Sequence, residues 1–330
     1  MTTRMTVAVC IAAGIAAATA WADSAPPLVL ESKITLVHVR GRIDHLTADI
    51  ARQRLYVAEL GNDTVGVVDL KTHAAIRTLS GFHEPQGLGY EPTTDTLYVA
   101  NGGDGTVELF QGAELTPAGK ISLGDDADNV RVDAATHRVL VGYGAGALAV
   151  IDPLSRRKIA DIPLKGHPES FQMDRAGTHI FVNAPDVREI AVIDSKQNRQ
   201  VASWPLAELQ ANFPLAIDET RHQVLVAFRN PPKLGVFSAT DGTLLSSIDT
   251  CADADDIFVD AQRNRAYVSC GEGFIDVLTA QGSGYVKVAH IETRGGARTA
   301  LFVPEFDRLL LAVRATILEP AAIWVYRPMP

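Results

Sequence analysis

Ionisable side chains stand in short runs at well-separated points of this 330-residue chain. The runs, together with the arginine that follows them, are Asp44-His45, Asp128-Asn129, Glu169-Ser170, Asp253-Ala254-Asp255-Asp256 and Arg298. Carboxylates that converge raise one another's pKa unless a cation, an arginine or water lies between them. If the fold brings the runs together, three chemistries stay open. They are a solvated cluster of balanced charges, a ligand or Ca²⁺/Mg²⁺ site, and a catalytic site with His45 as general acid or base.

A repeat of about 42 residues accounts for the spacing of these runs. The equivalent positions of the seven repeats, each inside an apolar strand-like segment, are Tyr56, Tyr98, Leu140, Phe181, Leu225, Tyr267 and Leu310. Polar turns such as Gly61-Asn62-Asp63 separate the segments, which is typical of hairpins. Seven units of this length predict an all-β fold, a seven-bladed β-propeller whose blades are four-stranded antiparallel sheets.

The two ends of the chain are predicted to close the ring. The seventh repeat reaches Pro330 without a fourth strand of its own, whereas Lys33–Val39 is a spare strand at the other end. We expect Lys33–Val39 to pair with Ile323–Tyr326, because an unpaired sheet edge invites aggregation. A helix-like stretch at Leu206–Ala211 is too short to form a second domain.

The predicted site lies where the blades converge. The innermost strand of each propeller blade lines a central channel, so the residues just before it meet at one mouth. Six repeats carry an acidic residue after this strand, to which we assign a turn role because carboxylates bond nearby backbone amides: Asp49, Glu91, Asp133, Asp174, Asp218 and Asp260. Counting back four or five positions predicts a ligand-binding funnel formed by His45, Asp128, Asn129, Glu169, Asp255, Asp256 and Arg298.

Other polar residues are predicted to lie outside the funnel. His83, His167 and His290 share no repeat position, so we place them on the surface. The segment 229–232, Arg-Asn-Pro-Pro, connects two strands on the funnel face, either as a rim contact or as a plain loop.

Two segments resemble the signature of the YVTN-repeat propeller family. They are Leu-Tyr-Val-Ala-Asn at 97–101, followed by Gly-Asp-Gly-Thr-Val at 103–107, and the related 55–58 with 61–69. The resemblance covers essentially the whole chain after residue 22 and implies a propeller of the exported bacterial type. It does not imply one function, since such repeats occur in surface-layer proteins, binding proteins and enzymes. The paired histidines of the related antibiotic-opening lyases have no counterpart here.

The first 22 residues have the three parts of a secretory signal peptide. Arg4 precedes an apolar stretch from Val7 to Ala18, and Ala20-Trp21-Ala22 forms a cleavage site. We expect one domain over 23–330, periplasmic or secreted, with no membrane span. Loss of Arg4 would take the formal charge from −9 to −10, which disfavours nucleic acid as a partner.

Two cysteines, Cys251 and Cys270, remain after the predicted signal peptide. An even count in an oxidising compartment predicts a disulfide between them, since two antiparallel strands return the chain to the same face. The sequence has no Cys-x-x-Cys-His motif and no zinc-type spacing, so no cofactor is evident beyond the Ca²⁺ or Mg²⁺ hypothesis.

Two functions fit these observations. The first is a binding or scaffold module that presents its funnel to a small molecule or a periplasmic protein. The alternative is a divalent-metal-dependent hydrolase, lactonase or lyase that uses the funnel carboxylates. No nucleophile elbow or cofactor fingerprint favours the enzyme, whereas clustered ionisable groups in a concave site would suit it.

Overall fold

A computed structural model describes residues 26–330, so the predicted signal peptide at 1–22 lies outside the described residues. In the part described, no helix is long and apolar enough to cross a membrane. That part contains no α-helix, only two short 3-10 turns at Leu60–Asn62 and Pro185–Val187.

Seven four-stranded antiparallel sheets form the blades of a β-propeller, as predicted. Blades one and two comprise β2 (Leu46–Asp49), β3 (Arg54–Glu59), β4 (Thr64–Asp69), β5 (Ala74–Ser80), β6 (Pro85–Glu91), β7 (Thr96–Asn101), β8 (Thr106–Gln111) and β9 (Thr116–Ser122). Blades three and four comprise β10 (Ala127–Val132), β11 (Val139–Tyr143), β12 (Ala147–Asp152), β13 (Arg157–Pro163), β14 (Ser170–Met173), β15 (His179–Ala184), β16 (Glu189–Asp194) and β17 (Arg199–Pro205). Blades five and six comprise β18 (Gln210–Asp218), β19 (Gln223–Asn230), β20 (Pro232–Ser238), β21 (Leu244–Asp249), β22 (Ala254–Asp260), β23 (Arg265–Cys270), β24 (Phe274–Gln281) and β25 (Gly284–Glu292). Blade seven comprises β26 (Ala300–Val303), β27 (Arg308–Val313), β28 (Ala321–Pro328) and β1 (Leu28–Leu36).

The hydrophobic core is divided among the interfaces between blades. Each of seven apolar clusters joins two neighbouring blades, and one of them joins blade seven to blade one through residues such as Ile323 and Leu55. Both faces of the second and third strands are buried in this way, which explains unbroken apolar runs such as Leu55–Ala58. The ring therefore fixes the seven inner strands around one axis.

The ring closes through the N-terminal strand, but its bounds differ from the prediction. β1 pairs antiparallel with β28, with Ile34 opposite Ile323. The strand begins at Leu28 and ends at Leu36, whereas the sequence suggested Lys33–Val39. Val37 is 61% exposed and His38 has a φ of 68°, so the chain turns away from the sheet there.

The segment Leu206–Ala211 is not helical. It bends after Pro205 and enters β18 at Gln210, and Ala211 has a φ of 56°, in the left-handed region that no right-handed helix uses.

The six repeated acidic residues cap turns, as predicted. Representative bonds run from the backbone N–H of Ala135 to Asp133 over 2.9 Å and from that of Thr178 to Asp174 over 2.7 Å. Although burial raises its pKa, hydrogen bonds from Thr178 hold the pKa of Asp174 below its ordinary value. Carboxylates at this end of the propeller are therefore satisfied within their own turns.

The predicted disulfide between Cys251 and Cys270 is present, with their Cα atoms 5.8 Å apart. It joins the segment before β22 to the end of β23, directly beside Asp253 and Gly271. A Cβ on Gly271 would overlap the Asp253 carboxylate, so a larger residue there would displace that side chain from its present position. The cross-link thus fixes a segment that reaches the central channel.

Candidate functional site

The central channel contains two chambers. We call the first the upper funnel, a cavity of about 750 Å³ at the mouth formed by the loops that precede the inner strands. Its charged lining residues are Arg42, Asp125, Asp126, Asp128, His167, Glu169, Asp186, Arg229, Asp255 and Arg298. The second, the lower chamber, is a cavity of about 470 Å³ at the turn end of the inner strands, and both apolar and polar side chains line it.

The seven predicted site residues divide between these two chambers. Those in the upper funnel are Asp128, Glu169, Asp255 and Arg298. His45 and Asp256 instead line the lower chamber, so they do not share one cavity with the other four. Asn129 lines neither cavity and is 1% exposed.

Asn129 crosses the channel between the chambers. Its amide Nδ2 lies 3.0 Å from His45 Nε2 of blade one and donates to the Glu169 carbonyl at the start of blade four. Asp256 accepts a 2.8 Å hydrogen bond from the Ala300 backbone N–H, and burial raises its pKa to about 7. These polar contacts form a waist that separates the funnel from the lower chamber.

Two arginines and two aspartates form a compact ion cluster on one wall of the funnel. Asp255 accepts from Arg229 Nη2 and lies 3.0 Å from Arg298 Nε. Asp253 bonds Arg298 Nη1 at 2.8 Å and lies 3.3 Å from Arg229 Nε. The Arg229 guanidinium also stacks on Phe213, with Cζ 3.6 Å from the ring centroid. The two positive and two negative charges of this cluster compensate one another without a ligand.

The opposite wall, formed by blades three and four, has an excess of carboxylates. We call Asp125, Asp126, Asp128, Glu169 and Asp186 the acid wall. Burial, and then the neighbouring Asp128 carboxylate, raise the pKa of Glu169 to about 7. Burial also raises the pKa of Asp126. Asp128 is 8% exposed, and its Oδ1 has no hydrogen-bond partner among the residues described.

His167 is the one cationic group on the acid wall. Its Nδ1–H donates to the Gly144 carbonyl at 2.6 Å, and its ring nitrogens lie 3.7 Å from Asp126 and 3.7 Å from Asp128. Burial lowers its pKa, but the bonds to Asp128 and Gly144 outweigh burial and raise the pKa to about 9. The surface placement predicted for His167 was therefore wrong, whereas His83 and His290 are exposed as predicted.

The sequence analysis missed a second ring of funnel residues two positions before the predicted one. Arg42, Asp126, His167 and Asp253 precede Asp44, Asp128, Glu169 and Asp255 by two residues each. Asp126 and Asp253 have φ values of 35° and 58°, so these segments bend and a strand-like alternation of side chains does not identify them. Arg229 was left open between rim and loop, and it lines the funnel at the end of β19.

No group of three or more His, Cys, Asp or Glu side chains within residues 26–330 is arranged to hold a metal ion. Asp126, Asp128 and Glu169 all line the upper funnel.

Comparisons with known proteins agree on the fold. No family model matches the chain. It is 24% identical over 253 residues to uncharacterized YncE proteins of Salmonella typhi and Salmonella typhimurium, covering 68% of this chain and 67% of theirs. Among solved structures it is similar to a chain of Kuenenia stuttgartiensis hydrazine synthase, with a TM-score of 0.74, 15% identity and coverage of 84% and 94%. A chain of a mitotic checkpoint complex gives a TM-score of 0.75 at 12% identity, with 99% of both chains covered. At these identities the structural neighbours define the class as a seven-bladed β-propeller and go no further.

Proposed function

We propose that this propeller is a binding module whose upper funnel takes a small, positively charged ligand such as an organic amine. The observation that carries the proposal is the asymmetry of the funnel walls. The ion cluster balances its own charges, whereas the acid wall faces the same cavity with only His167 as a cation.

The energetics favour a cationic ligand over an anionic one. Carboxylates that are partly removed from water without full compensation are costly, and here the cost appears as the raised pKa values of Glu169 and Asp126. An ammonium group placed between Asp128 and Glu169 would donate three charge-assisted hydrogen bonds and relieve their repulsion. The cavity of about 750 Å³ is within the range of small-molecule sites.

Calorimetric titration with putrescine tests this function, with 1,4-butanediol as the uncharged analogue of the same shape. We expect putrescine to bind with one site per chain at pH 8 and the diol to bind at least about tenfold more weakly. Equal binding of both compounds, or of neither, would contradict the proposal. A parallel titration with CaCl₂ and MgCl₂ tests the metal hypothesis directly.

Paired variants locate the binding. Asp128→Asn removes an acid-wall charge and should weaken putrescine binding by about tenfold or more, corresponding to about 1.4 kcal/mol. Asp194→Asn removes an exposed carboxylate that caps the turn after β16, far from the funnel, and should leave binding unchanged. Equal losses in both variants would show a general electrostatic effect without a site.

Binding of a partner protein is a second candidate function, and exposed apolar residues at the rim of the funnel favour it. Ile317 and Leu318, in the loop between β27 and β28, are fully or nearly fully exposed. Large apolar side chains at an exposed loop tip suit protein contact. A photo-crosslinking residue at position 318 should give a defined adduct in cells. The same residue at Leu154, equally exposed in the turn between β12 and β13, should not. Adducts at both positions, or at neither, would contradict specific binding of a partner protein at the rim.

We further infer that the protein is exported, as one domain over 23–330, and that its repeats are of the YVTN type. The disulfide supports export, because such bonds persist in oxidising compartments. The distant similarity to YncE is compatible with both inferences. Metal-dependent hydrolase, lactonase or lyase activity stays a prediction. N-terminal sequencing of the protein from a periplasmic fraction, which should begin near Asp23, tests export.

A further inference from the structure

The lower chamber contains a guanidinium that the funnel does not use. Arg131 lies on β10 and lines this chamber, facing away from the upper funnel beyond Asn129. Its Nη1 donates to the carbonyl of its own neighbour Val130 at 2.9 Å, and its Cζ lies 5.9 Å from the ring centroid of Phe171. Within residues 26–330 no carboxylate lies within 4.0 Å of its nitrogens.

Arg131 is half-buried and, among the residues described, has no ion partner within 4.0 Å, which is costly for a charged side chain. Its guanidinium offers five N–H donors in a planar fork, and only one protein acceptor is engaged. Burial lowers the pKa of Arg131, and Asp256 and Asp128 offset this only from a distance. Proteins compensate a buried charge with an ion partner or a ligand, because an isolated one disfavours the folded state.

Large apolar side chains line part of the chamber around Arg131. Leu88, Met173, Phe258 and Leu301 line the chamber, which opens at the turn end of the propeller past Ala134 and Arg175. The Gln172 side chain accepts from the Ile217 backbone through Oε1 at 2.9 Å, which leaves its Nε2 as a second donor. Asp133, Asp174, Arg175 and Asp256 also line this chamber. A cavity that combines apolar walls with a few polar groups is typical of sites for small organic ligands.

We propose that the lower chamber binds a monocarboxylate with an apolar body, its carboxylate on the Arg131 fork and its body against Met173 and Phe258. A single guanidinium matches a planar carboxylate in a bidentate arrangement. A dianion such as phosphate is disfavoured, because Asp133, Asp174 and Asp256 line the same chamber as Arg131 and Arg175. This site is independent of the upper funnel, from which the His45–Asn129 waist separates it.

Calorimetric titration of the full chain with octanoate tests the proposal, with octanamide as the uncharged analogue. We expect one octanoate per chain and binding at least about tenfold tighter than that of octanamide. Arg131→Met should reduce octanoate binding to the octanamide level, and Arg131→Lys should retain part of it. Arg138→Met removes a guanidinium at the start of the neighbouring strand, outside the chamber, and should bind octanoate as the parent does.

Stability and site independence complete the test. Because Arg131→Met removes a charge that has no carboxylate within 4.0 Å in the described part of the chain, the variant should melt at or above the parent temperature. If Arg131 served only to balance Asp256, that variant would be destabilised while octanoate binding stayed unchanged, which would overturn the proposal. Equal affinity for octanoate and octanamide would overturn it as well. Glu169→Gln, in the upper funnel, should leave octanoate binding intact. A loss of octanoate binding in this variant would show that octanoate binds in the upper funnel and would overturn the proposal.

Discussion

Carboxylates occur at the repeat spacing at both ends of the inner strands, but the two sets differ in how well hydrogen bonds compensate their charge. At the turn end, Asp133 and Asp174 accept hydrogen bonds from the backbone of their own turns. At the funnel end, Glu169 has a pKa raised to about 7, and Asp128 Oδ1 has no partner among the residues described. The same residue type therefore stabilises the fold at one end and costs stability at the other.

The contrast separates structural from functional positions in a repeat protein. A turn carboxylate is compensated within three or four residues, so each repeat can keep it without regard to its neighbours. The charge of a funnel carboxylate is compensated only by side chains from other blades, as that of Asp255 is by Arg229 and Arg298. Uncompensated groups at a shared mouth are the stronger candidates for ligand binding.

The largest expected effect concerns the disulfide, which anchors the ion cluster. Removing the cross-link in Cys251→Ala/Cys270→Ala should lower the free energy of unfolding by about 3 kcal/mol, because 19 residues separate the cysteines. Urea unfolding with and without reductant measures this. An unchanged midpoint in the double variant would show that the blade geometry alone fixes the segment at 251–255.

A turn carboxylate should come next. Asp260 accepts from the Arg263 backbone, from the Arg263 side chain and, at 2.8 Å, from the buried Tyr267 hydroxyl. Asp260→Ala leaves the Tyr267 hydroxyl and the Arg263 backbone N–H without their carboxylate acceptor, whereas the Arg263 side chain keeps Asp307, and the change should cost about 2 kcal/mol of stability. Thermal unfolding followed by circular dichroism is the measurement. A loss below that of a surface substitution would remove the distinction between the two ends.

Glu169→Gln in the funnel should have the opposite sign. Its pKa rises from 4.5 unfolded to about 7 folded, so its stabilising proton is fully present below pH 4.5 and is lost as the pH rises through 7. The variant should therefore match the parent at pH 5 and exceed it at pH 8, by about 1–2 kcal/mol after screening at the open mouth. A variant less stable than the parent at pH 8 would show that Glu169 is compensated after all.

The sequence predicted the fold well because repeated strand and turn residues are local signals. It placed the seven blades, the turn acids, the disulfide and the closing strand, whose bounds it missed because the exposed Val37 looked strand-like. The repeat spacing correctly indicated the positions just before the inner strands. It could not show that adjacent positions face different cavities, as Asp255 in the upper funnel and Asp256 in the lower chamber do. His167 and Arg229 were not identified as site residues, because their distance from the channel depends on how neighbouring blades pack.

The pH dependence of the putrescine affinity is the decisive test of whether the acid wall binds the ligand. Glu169 is faced by Asp128, His167, Asp255 and Arg229, and burial raises its pKa to about 7. Burial also raises the pKa of Asp256 to about 7 and that of Asp44 to about 8, so the Glu169→Gln variant is needed to assign the pH dependence to Glu169. The account predicts that putrescine binds up to about tenfold more tightly at pH 8 than at pH 6 in the parent, because the ionised form of Glu169 becomes dominant. Glu169→Gln should bind weakly and without this pH dependence. A parent protein whose putrescine affinity is the same at both pH values, or absent, would contradict the claim that the acid wall is the binding site.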